Sequence, residues 1–135
     1  MRNLGRLFLA LTLLFRASSA FAETPEETKV HAVITQQLEA LRRGDSESAF
    51  ARASPTIQGI FQNAQNFSRM VETGFPQIYK SRTHRFLKLE GNNGTYTQRV
   101  LIESDGGTVV VRYEIIEIDG ASRINGCVIE ASQGA

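Results

Sequence analysis

The chain contains few of the residues from which common functional motifs are built. Cys127 is its only cysteine, so no disulfide can form within the chain and the fold must be held by its apolar core. His31 and His84 are its only histidines, and neither has a cysteine or a second histidine at metal-ligand spacing. The sequence therefore predicts neither a metal site nor another cofactor. We expect His31, which follows Val30 on a predicted helix, to be a solvated surface residue.

Long apolar runs are also absent. The chief apolar segment, residues 7–15, has nine residues, whereas a helix that crosses a hydrocarbon core needs about 20. This segment follows the basic residues Arg2 and Arg6 and precedes Ala20-Phe21-Ala22, which fits a leader-peptidase site. We predict a signal peptide over residues 1–22 and a single domain over residues 23–135. The protein should then be periplasmic or secreted, with no membrane attachment after cleavage.

Basic residues are not in excess over acidic ones. Cleavage after Ala22 would remove Arg2, Arg6 and Arg16 and leave 12 basic against 14 acidic residues, a net charge of −2. Binding to nucleic acid or to an anionic membrane calls for a basic patch. We therefore predict neither partner.

The first half of the predicted domain carries helix signals. Thr24-Pro25-Glu26-Glu27 is a capping box with proline at the first helical position. An apolar stripe at helical spacing follows it: Val30, Ile34, Leu38 and Leu41. Gly44 is suited to end this helix in the left-handed conformation. Three further helical segments are predicted to begin at polar caps: Asp45, Ser54 and Asn63.

The segment from Ser54 to Tyr79 links the helices to the rest of the chain. Ser54 is followed by proline and, four residues on, by Gln58, which is predicted to reach back to the cap. Gly74 is predicted to close the last long helix with a positive φ angle, and Pro76 to prevent its continuation.

From Thr83 onward the apolar period changes from 3.6 to 2, which predicts strands. Turn signals at 91–94, 105–107 and 119–120 separate four strands, and such short connections favour antiparallel pairing. In the first strand the alternation sets Leu87 and Leu89 on one face and Phe86 on the other. The next two strands have apolar faces: Tyr96, Gln98, Val100 and Ile102, then Val109, Val111, Tyr113 and Ile115.

Helices followed by an antiparallel meander predict an α+β fold, in which the N-terminal helices pack on a curved sheet of about four strands and enclose a cone. Four further motifs can be read in the chain: Ala49-Phe50-Ala51-x-Ala53-Ser54-Pro55-x-Ile57-Gln58, Met70-Val71-x-x-Gly74-Phe75-Pro76-x-Ile78-Tyr79, Gln98-Arg99-Val100-Leu101 and Arg123-Ile124-x-Gly126-Cys127. Together they resemble an uncharacterised family of exported bacterial NTF2-like proteins. The resemblance implies an NTF2-like cone and carries no assigned activity.

Charged residues alternate with apolar ones on the second and third strands: Arg99, Glu103, Arg112 and Glu114. They could line a polar cavity or form a cross-strand ladder on the solvent face. The ladder is the favoured interpretation, because antiparallel sheets commonly have one solvated face. Each cross-strand pair would contribute roughly 0.2–1 kcal/mol.

Four residues are candidates for a pocket: Tyr79, Tyr113, Cys127 and Glu72. Tyr113 shares its face with apolar residues, so its hydroxyl needs a partner or a cavity. In enzymes that share the NTF2-like fold, such as ketosteroid isomerases, a pocket tyrosine acts as an oxyanion donor beside a carboxylate base. Glu72 is the nearby helical candidate for that base. The alternative is a core tyrosine that bonds to backbone groups.

Cys127 lies on a last strand, residues 123–131, whose alternation leaves its face open. Free cysteine is among the most buried residue types, and an exposed thiolate in an oxidising compartment would be oxidised or paired between chains. We therefore predict a buried, protonated thiol with a raised pKa and a packing role.

These observations predict a non-catalytic function, either binding of a small apolar ligand in the cone or pairing with another protein through the exposed sheet face. The alternatives are an isomerase- or hydrolase-type enzyme that uses Tyr113, and a structural homodimer formed through the sheet face. A carboxylate within reach of Tyr113 would favour the enzyme. A closed apolar cone would favour the dimer, and an open cone without ionisable groups would favour the binder.

Overall fold

The computed structural model describes residues 22–133, with side chains described to residue 130. The predicted signal peptide, apart from Ala22, lies outside the described residues. Five helices come first: α1 (Pro25–Arg42), α2 (Ser46–Ala51), α3 (Pro55–Phe61), α4 (Ala64–Gly74) and α5 (Pro76–Tyr79). Four strands follow: β1 (Ser81–Asn92), β2 (Thr95–Ser104), β3 (Gly107–Ile118) and β4 (Ala121–Gln133). They form one antiparallel sheet in the order β1-β2-β3-β4, which confirms the predicted α+β arrangement.

The predicted polar caps begin the helices. Thr24 accepts a hydrogen bond from the backbone amide of Glu27, whose carboxylate accepts one from the Thr24 amide, so the capping box is formed. Three other helices begin at side chains that each accept from a backbone amide of the first turn: Asp45, Ser54 and Asn63. The box predicted at Ser54 is not formed. Gln58 Nε2 donates instead to the carbonyls of Phe50 and Ala53, each at 3.1 Å.

The two glycines predicted to end helices behave differently. Gly44 follows α1 with φ +73°, as predicted. Gly74 is the last residue of α4 and has no positive φ, so that prediction is wrong. The C-cap is Phe75, with φ −137°, whose amide donates to the Val71 carbonyl. Because Pro76 disfavours helical backbone at the residue before it, the helix stops there without a left-handed glycine.

This difference predicts opposite effects of alanine at the two glycines. A Cβ at Gly74 would meet no atom within 4 Å, and alanine is favoured over glycine in a helix, so Gly74→Ala should raise stability by about 0.5–1 kcal/mol. Gly44→Ala should lower stability by about 1 kcal/mol, because alanine is strained at positive φ. Urea unfolding of both variants measures the two effects. A loss in Gly74→Ala as large as that in Gly44→Ala would contradict the assigned conformations.

The core lies between α1 and the inner face of the sheet. The predicted stripe of α1 is buried there, with Val30, Ile34 and Leu38 fully inaccessible to solvent. The predicted faces of β2 and β3 are buried as well, and Gln98 among them is inaccessible. The period-2 interpretation of these two strands is therefore confirmed.

Strand β1 departs from the predicted alternation. Its pairing with β2 shifts between Phe86 and Leu89, and both side chains pack against the core. A bulge inserts an unpaired residue and changes which face the following side chains occupy. The bulge carbonyls of Leu87 and Lys88 lie 3.3 and 3.4 Å from Gln98 Nε2, which donates towards both.

A similar irregularity in β4 determines which face of the sheet Cys127 occupies. Tyr113 pairs with Cys127 and Ile115 pairs with Ile124, so β4 has one residue more than β3 between these pairs. Because of this extra residue, Ile124 and Cys127 both lie on the inner side, although they are three positions apart.

His31 is half-buried, so the prediction of a solvated histidine is wrong. Its ring stacks on Phe86 with the centroids 3.8 Å apart, and His84 packs edge-on against the same phenyl ring at 5.2 Å. His31 Nε2 lies 3.2 Å from Gln98 Oε1. Its Nδ1 lies 2.8 Å from Glu23 Oε1, before α1. The two aromatic rings and the amide that bury His31 lie on β1 and β2, so its position on the helix alone did not indicate this burial.

Most of the charged residues of β2 and β3 form a ladder on the outer face of the sheet, and Glu103 borders a shallow surface pocket beside β1. Arg99 and Arg112 lie opposite each other, and Glu130 of β4 bonds to both, at 2.8 Å and 3.4 Å. Glu103 accepts a hydrogen bond from Thr83 on β1. The solvent-face ladder is therefore present, but its bridging carboxylate comes from β4. Among the described residues, no helix has the length and apolar character needed to cross a membrane.

Candidate functional site

A cavity of about 210 Å³ lies between helices α3, α4 and α5 and the inner face of strands β3 and β4. Its helical wall is formed mainly by apolar side chains: Ile57, Phe61, Phe67, Met70, Phe75 and Ile78. The sheet contributes Tyr113, Ile124, Gly126 and Cys127, and α1 contributes Gln37. The described lining residues include no Asp, Glu, His, Lys or Arg.

Tyr113 is the one side chain of this wall whose hydroxyl is buried without a partner. The residue is 1% exposed, and its hydroxyl makes no hydrogen bond with any described residue. Burial raises the pKa of this hydroxyl well above its usual value, and the adjacent Cys127 raises it further. The group is therefore protonated at all physiological pH values and can donate a hydrogen bond.

Gln37 is a polar wall residue that sequence reasoning missed. It is 5% exposed, and its Nε2 donates to the Ala49 carbonyl at 3.1 Å. The sequence spacing could have identified Gln37, because it lies three residues after Ile34 and four before Leu41 on the buried stripe of α1. A polar residue at such a position is either satisfied within the core or faces a cavity.

Cys127 borders the cavity and is the cross-strand partner of Tyr113. It is half-buried and packs against the core, so the predicted burial is only partial. Burial raises the pKa of the thiol to about 12, with a smaller contribution from the Glu114 carboxylate. The predicted raised pKa is confirmed.

Native Cys127 should react slowly with iodoacetamide. With a pKa raised from 9.0 to about 12, the thiolate fraction at pH 8 is roughly a thousandfold below that of an ordinary thiol, and the thiolate is the nucleophile. Mass spectrometry of alkylated protein should show full labelling only after denaturation. Val128→Cys in a Cys127→Ser background places a thiol at an exposed neighbouring position and provides the fast control. Equal native rates for the two thiols would contradict the assignment.

The structure brings together only two of the four candidate pocket residues. Tyr113 and Cys127 line the cavity, whereas Tyr79 is half-buried against the core and does not line it. Glu72 is exposed on α4 and is not a lining residue. Among the side chains of residues 22–130, no three metal ligands lie close enough together to hold a metal ion.

The sequence of this chain matches one known protein family. Residues 23–135 match the family described as "Domain of unknown function (DUF4864)". The chain belongs to this family. The resemblance to an uncharacterised NTF2-like family is thereby confirmed for this DUF4864 domain. Among curated proteins, none matches its sequence.

Solved structures show the fold of the DUF4864 domain. A Nostoc punctiforme protein of unknown function with a cystatin-like fold is 15% identical, with a TM-score of 0.54 over 78% of this chain and 91% of the other. An NTF2-like protein of unknown function from Shewanella oneidensis is 13% identical, with a TM-score of 0.51 over 74% and 94%. Aln2 from a Streptomyces species is 18% identical, with a TM-score of 0.50 over 80% and 92%. At these identities the likeness establishes an NTF2-like fold.

Proposed function

We propose that the domain binds a small, uncharged and largely apolar ligand in the cavity, with the Tyr113 hydroxyl as its hydrogen-bond partner. The observation that carries this proposal is the buried and unpaired hydroxyl of Tyr113, a residue that lines an otherwise apolar cavity. Leaving such a group unpaired costs about 1–3 kcal/mol. A ligand oxygen placed against Tyr113 would recover that cost, while its apolar body would cover the phenyl rings.

The size and charge of the cavity limit the ligand. An apolar cavity of about 150 Å³ accommodates benzene, so one of about 210 Å³ suits a somewhat larger body such as a bicyclic ring. A charged ligand would be desolvated without a counter-charge, because the described lining residues include no Asp, Glu, His, Lys or Arg and burial keeps Tyr113 and Cys127 neutral. The proposed ligand therefore carries one or two neutral polar atoms.

The composition of the wall favours binding over catalysis. An isomerase would need a general base within hydrogen-bond reach of the substrate. The described lining residues supply no carboxylate or imidazole, and Glu72 is exposed on α4 outside the cavity. The raised pKa of Tyr113 also makes its phenolate unsuited to act as a base near neutral pH.

We further propose that the protein works outside the cytoplasm, after removal of residues 1–22. The support is the basic, apolar and small-residue order of the leader, together with the capping box that begins directly after it. N-terminal sequencing of exported protein should give Glu23-Thr24-Pro25. An uncut Met1 in a membrane fraction would contradict both the location and the domain limits.

Native mass spectrometry of protein purified from periplasm tests the ligand proposal. The wild-type protein should carry a small neutral molecule, and Cys127→Phe should lose it, because phenylalanine at this wall position fills the cavity. Val128→Phe is the matched control, since Val128 is 46% exposed beside Cys127, and it should retain the molecule. Circular dichroism melting verifies that both variants fold. Equal retention in both folded variants, or a wild-type protein without adduct that also fails to bind 2-naphthol, would reject the proposal.

The same spectra report the oligomeric state. The outer sheet face carries Val128 and the Arg99–Glu130–Arg112 ladder, and we propose this face as the surface for any homodimer. A wild-type dimer that Val128→Phe dissociates would support that surface. A dimer that persists in Val128→Phe would place the interface elsewhere.

A further inference from the structure

Helix α3, residues Pro55–Phe61, forms part of the cavity wall but is held by little buried surface. No residue of α3 is buried, whereas α4 buries Ala64, Phe67 and Val71. The cavity-lining residues of α3, Ile57 and Phe61, are only half-buried. An element with little buried apolar surface can detach at low cost in free energy.

The N-terminal end of α3 is fixed to the sheet. Ser54, which caps the helix, is fully buried, and its amide donates to the Ile124 carbonyl at 2.8 Å. Its hydroxyl donates to Asn125 Oδ1 at 2.8 Å. The Ile124 amide in turn donates to the Arg52 carbonyl at 2.9 Å. These bonds make Ser54 a fixed point about which α3 can turn.

The C-terminal end of α3 is strained. Gln62 has φ +71° and ψ −38°, in a region that residues other than glycine rarely adopt. The Asn63 amide donates to the Phe61 carbonyl at 2.9 Å, two residues earlier, which is the hydrogen bond of a γ-turn. The form of this turn with positive φ is rare and strained. Strained backbone of this kind clusters at binding sites and switch regions.

We infer that α3 is a lid that opens about Ser54, with Gln62 as a strained hinge, and so admits the ligand to the cavity. This inference rests on the proposed function of the cavity and adds the route by which it is filled. Opening releases Gln62 from its strained backbone conformation, which offsets part of the packing energy that Ile57 and Phe61 give up. Ile60, 64% exposed on the outer side of α3, does not oppose the movement.

Two substitutions at the hinge should change opening in opposite directions. Gln62→Gly removes the backbone strain of the closed position and should slow opening about fivefold or more. Glycine also gains conformational entropy in the open position, but this gain is smaller than the strain energy that is removed. Gln62→Val places a β-branched residue at positive φ and should speed opening. Asp119→Gly is the matched control, because Asp119 has φ +51° in the turn between β3 and β4.

Hydrogen exchange of the α3 amides in ligand-free protein reports the opening, because a seven-residue helix that has left its packing does not keep its hydrogen bonds. Exchange at residues 58–61 should be faster than in α1, slower in Gln62→Gly, faster in Gln62→Val and unchanged in Asp119→Gly. The association rate of 2-naphthol, followed by its fluorescence, should change in the same order. Protection of α3 equal to that of α1, or the same exchange in all variants, would overturn the lid. If 2-naphthol does not bind while exchange follows the expected order, the binding proposal fails and the hinge stands.

Discussion

Tyr113→Phe should unfold at a higher urea concentration than the wild-type protein, with stability raised by about 1–3 kcal/mol. A buried hydroxyl without a partner has lost its hydrogen bonds to water and gained none in return. The hydroxyl of Tyr113 is buried and makes no hydrogen bond with any described residue. Phenylalanine keeps the ring and its packing and removes the unpaired group.

Tyr96→Phe is the control for this experiment. Tyr96 lies on the same inner face of the sheet at 9% exposure, and its hydroxyl is not among the buried unpaired atoms of residues 22–130. Its removal should change stability by less than about 0.5 kcal/mol. A loss of about 1 kcal/mol or more in Tyr113→Phe would mean that the hydroxyl is bonded in the folded protein.

Gln98→Leu should have the opposite effect and lower stability by about 2–4 kcal/mol. Gln98 is fully buried, and its Nε2 donates to the Arg99 carbonyl at 2.8 Å and towards the two bulge carbonyls of β1. Because Nε2 faces these carbonyls, Oε1 faces His31 and accepts from its Nε2. Leucine has a similar volume but leaves the carbonyls and the imidazole without this partner.

Gln36→Leu gives the matched comparison for Gln98→Leu. Gln36 is exposed on α1, so the same chemical change should alter the free energy of unfolding by less than about 0.5 kcal/mol. Hydrogen exchange adds a second measurement, since β1 amides near Phe86 should exchange faster in Gln98→Leu alone. Equal stability of the two variants would show that the bulge does not depend on the Gln98 amide.

Much of the fold was predictable because local chemistry and period agree. Thr24, Asp45, Ser54 and Asn63 begin helices as caps do in general. The inner faces of β2 and β3 follow period 2 without interruption, and the alternation alone therefore assigns Tyr113 to the inner face. Short turns between the strands make the antiparallel meander the simplest connection.

The errors occur where a distant residue decides the local conformation. The bulge in β1 is supported by Gln98, so the local alternation separated Phe86 from Leu89, although both pack against the core. Gly74 was expected to be left-handed, although Pro76 already keeps the residue before it out of the helical conformation. The local sequence of β4 does not indicate its extra residue either, because only the pairing with β3 reveals it.

The candidate site was only half predictable for a related reason. Period 2 places Tyr113 inward, but whether its hydroxyl finds a partner depends on how closely α4 and α5 approach the sheet. Glu72 follows the cavity-lining Val71 directly and is exposed because one step along a helix turns a side chain by about 100°. The sequence therefore predicted a tyrosine on an inner face, and it left open whether a base beside it was missing or came from α4.

The most direct test of a ligand site at Tyr113 compares two probes that differ by one hydroxyl, 2-naphthol and naphthalene, in fluorescence titrations of wild-type protein and Tyr113→Phe. We expect the wild-type protein to bind 2-naphthol about tenfold more tightly than naphthalene, as one buried hydrogen bond provides. Tyr113→Phe should bind naphthalene as the wild-type protein does and lose the preference for 2-naphthol. An equal preference in both proteins, or no binding of either probe, would contradict the proposed site.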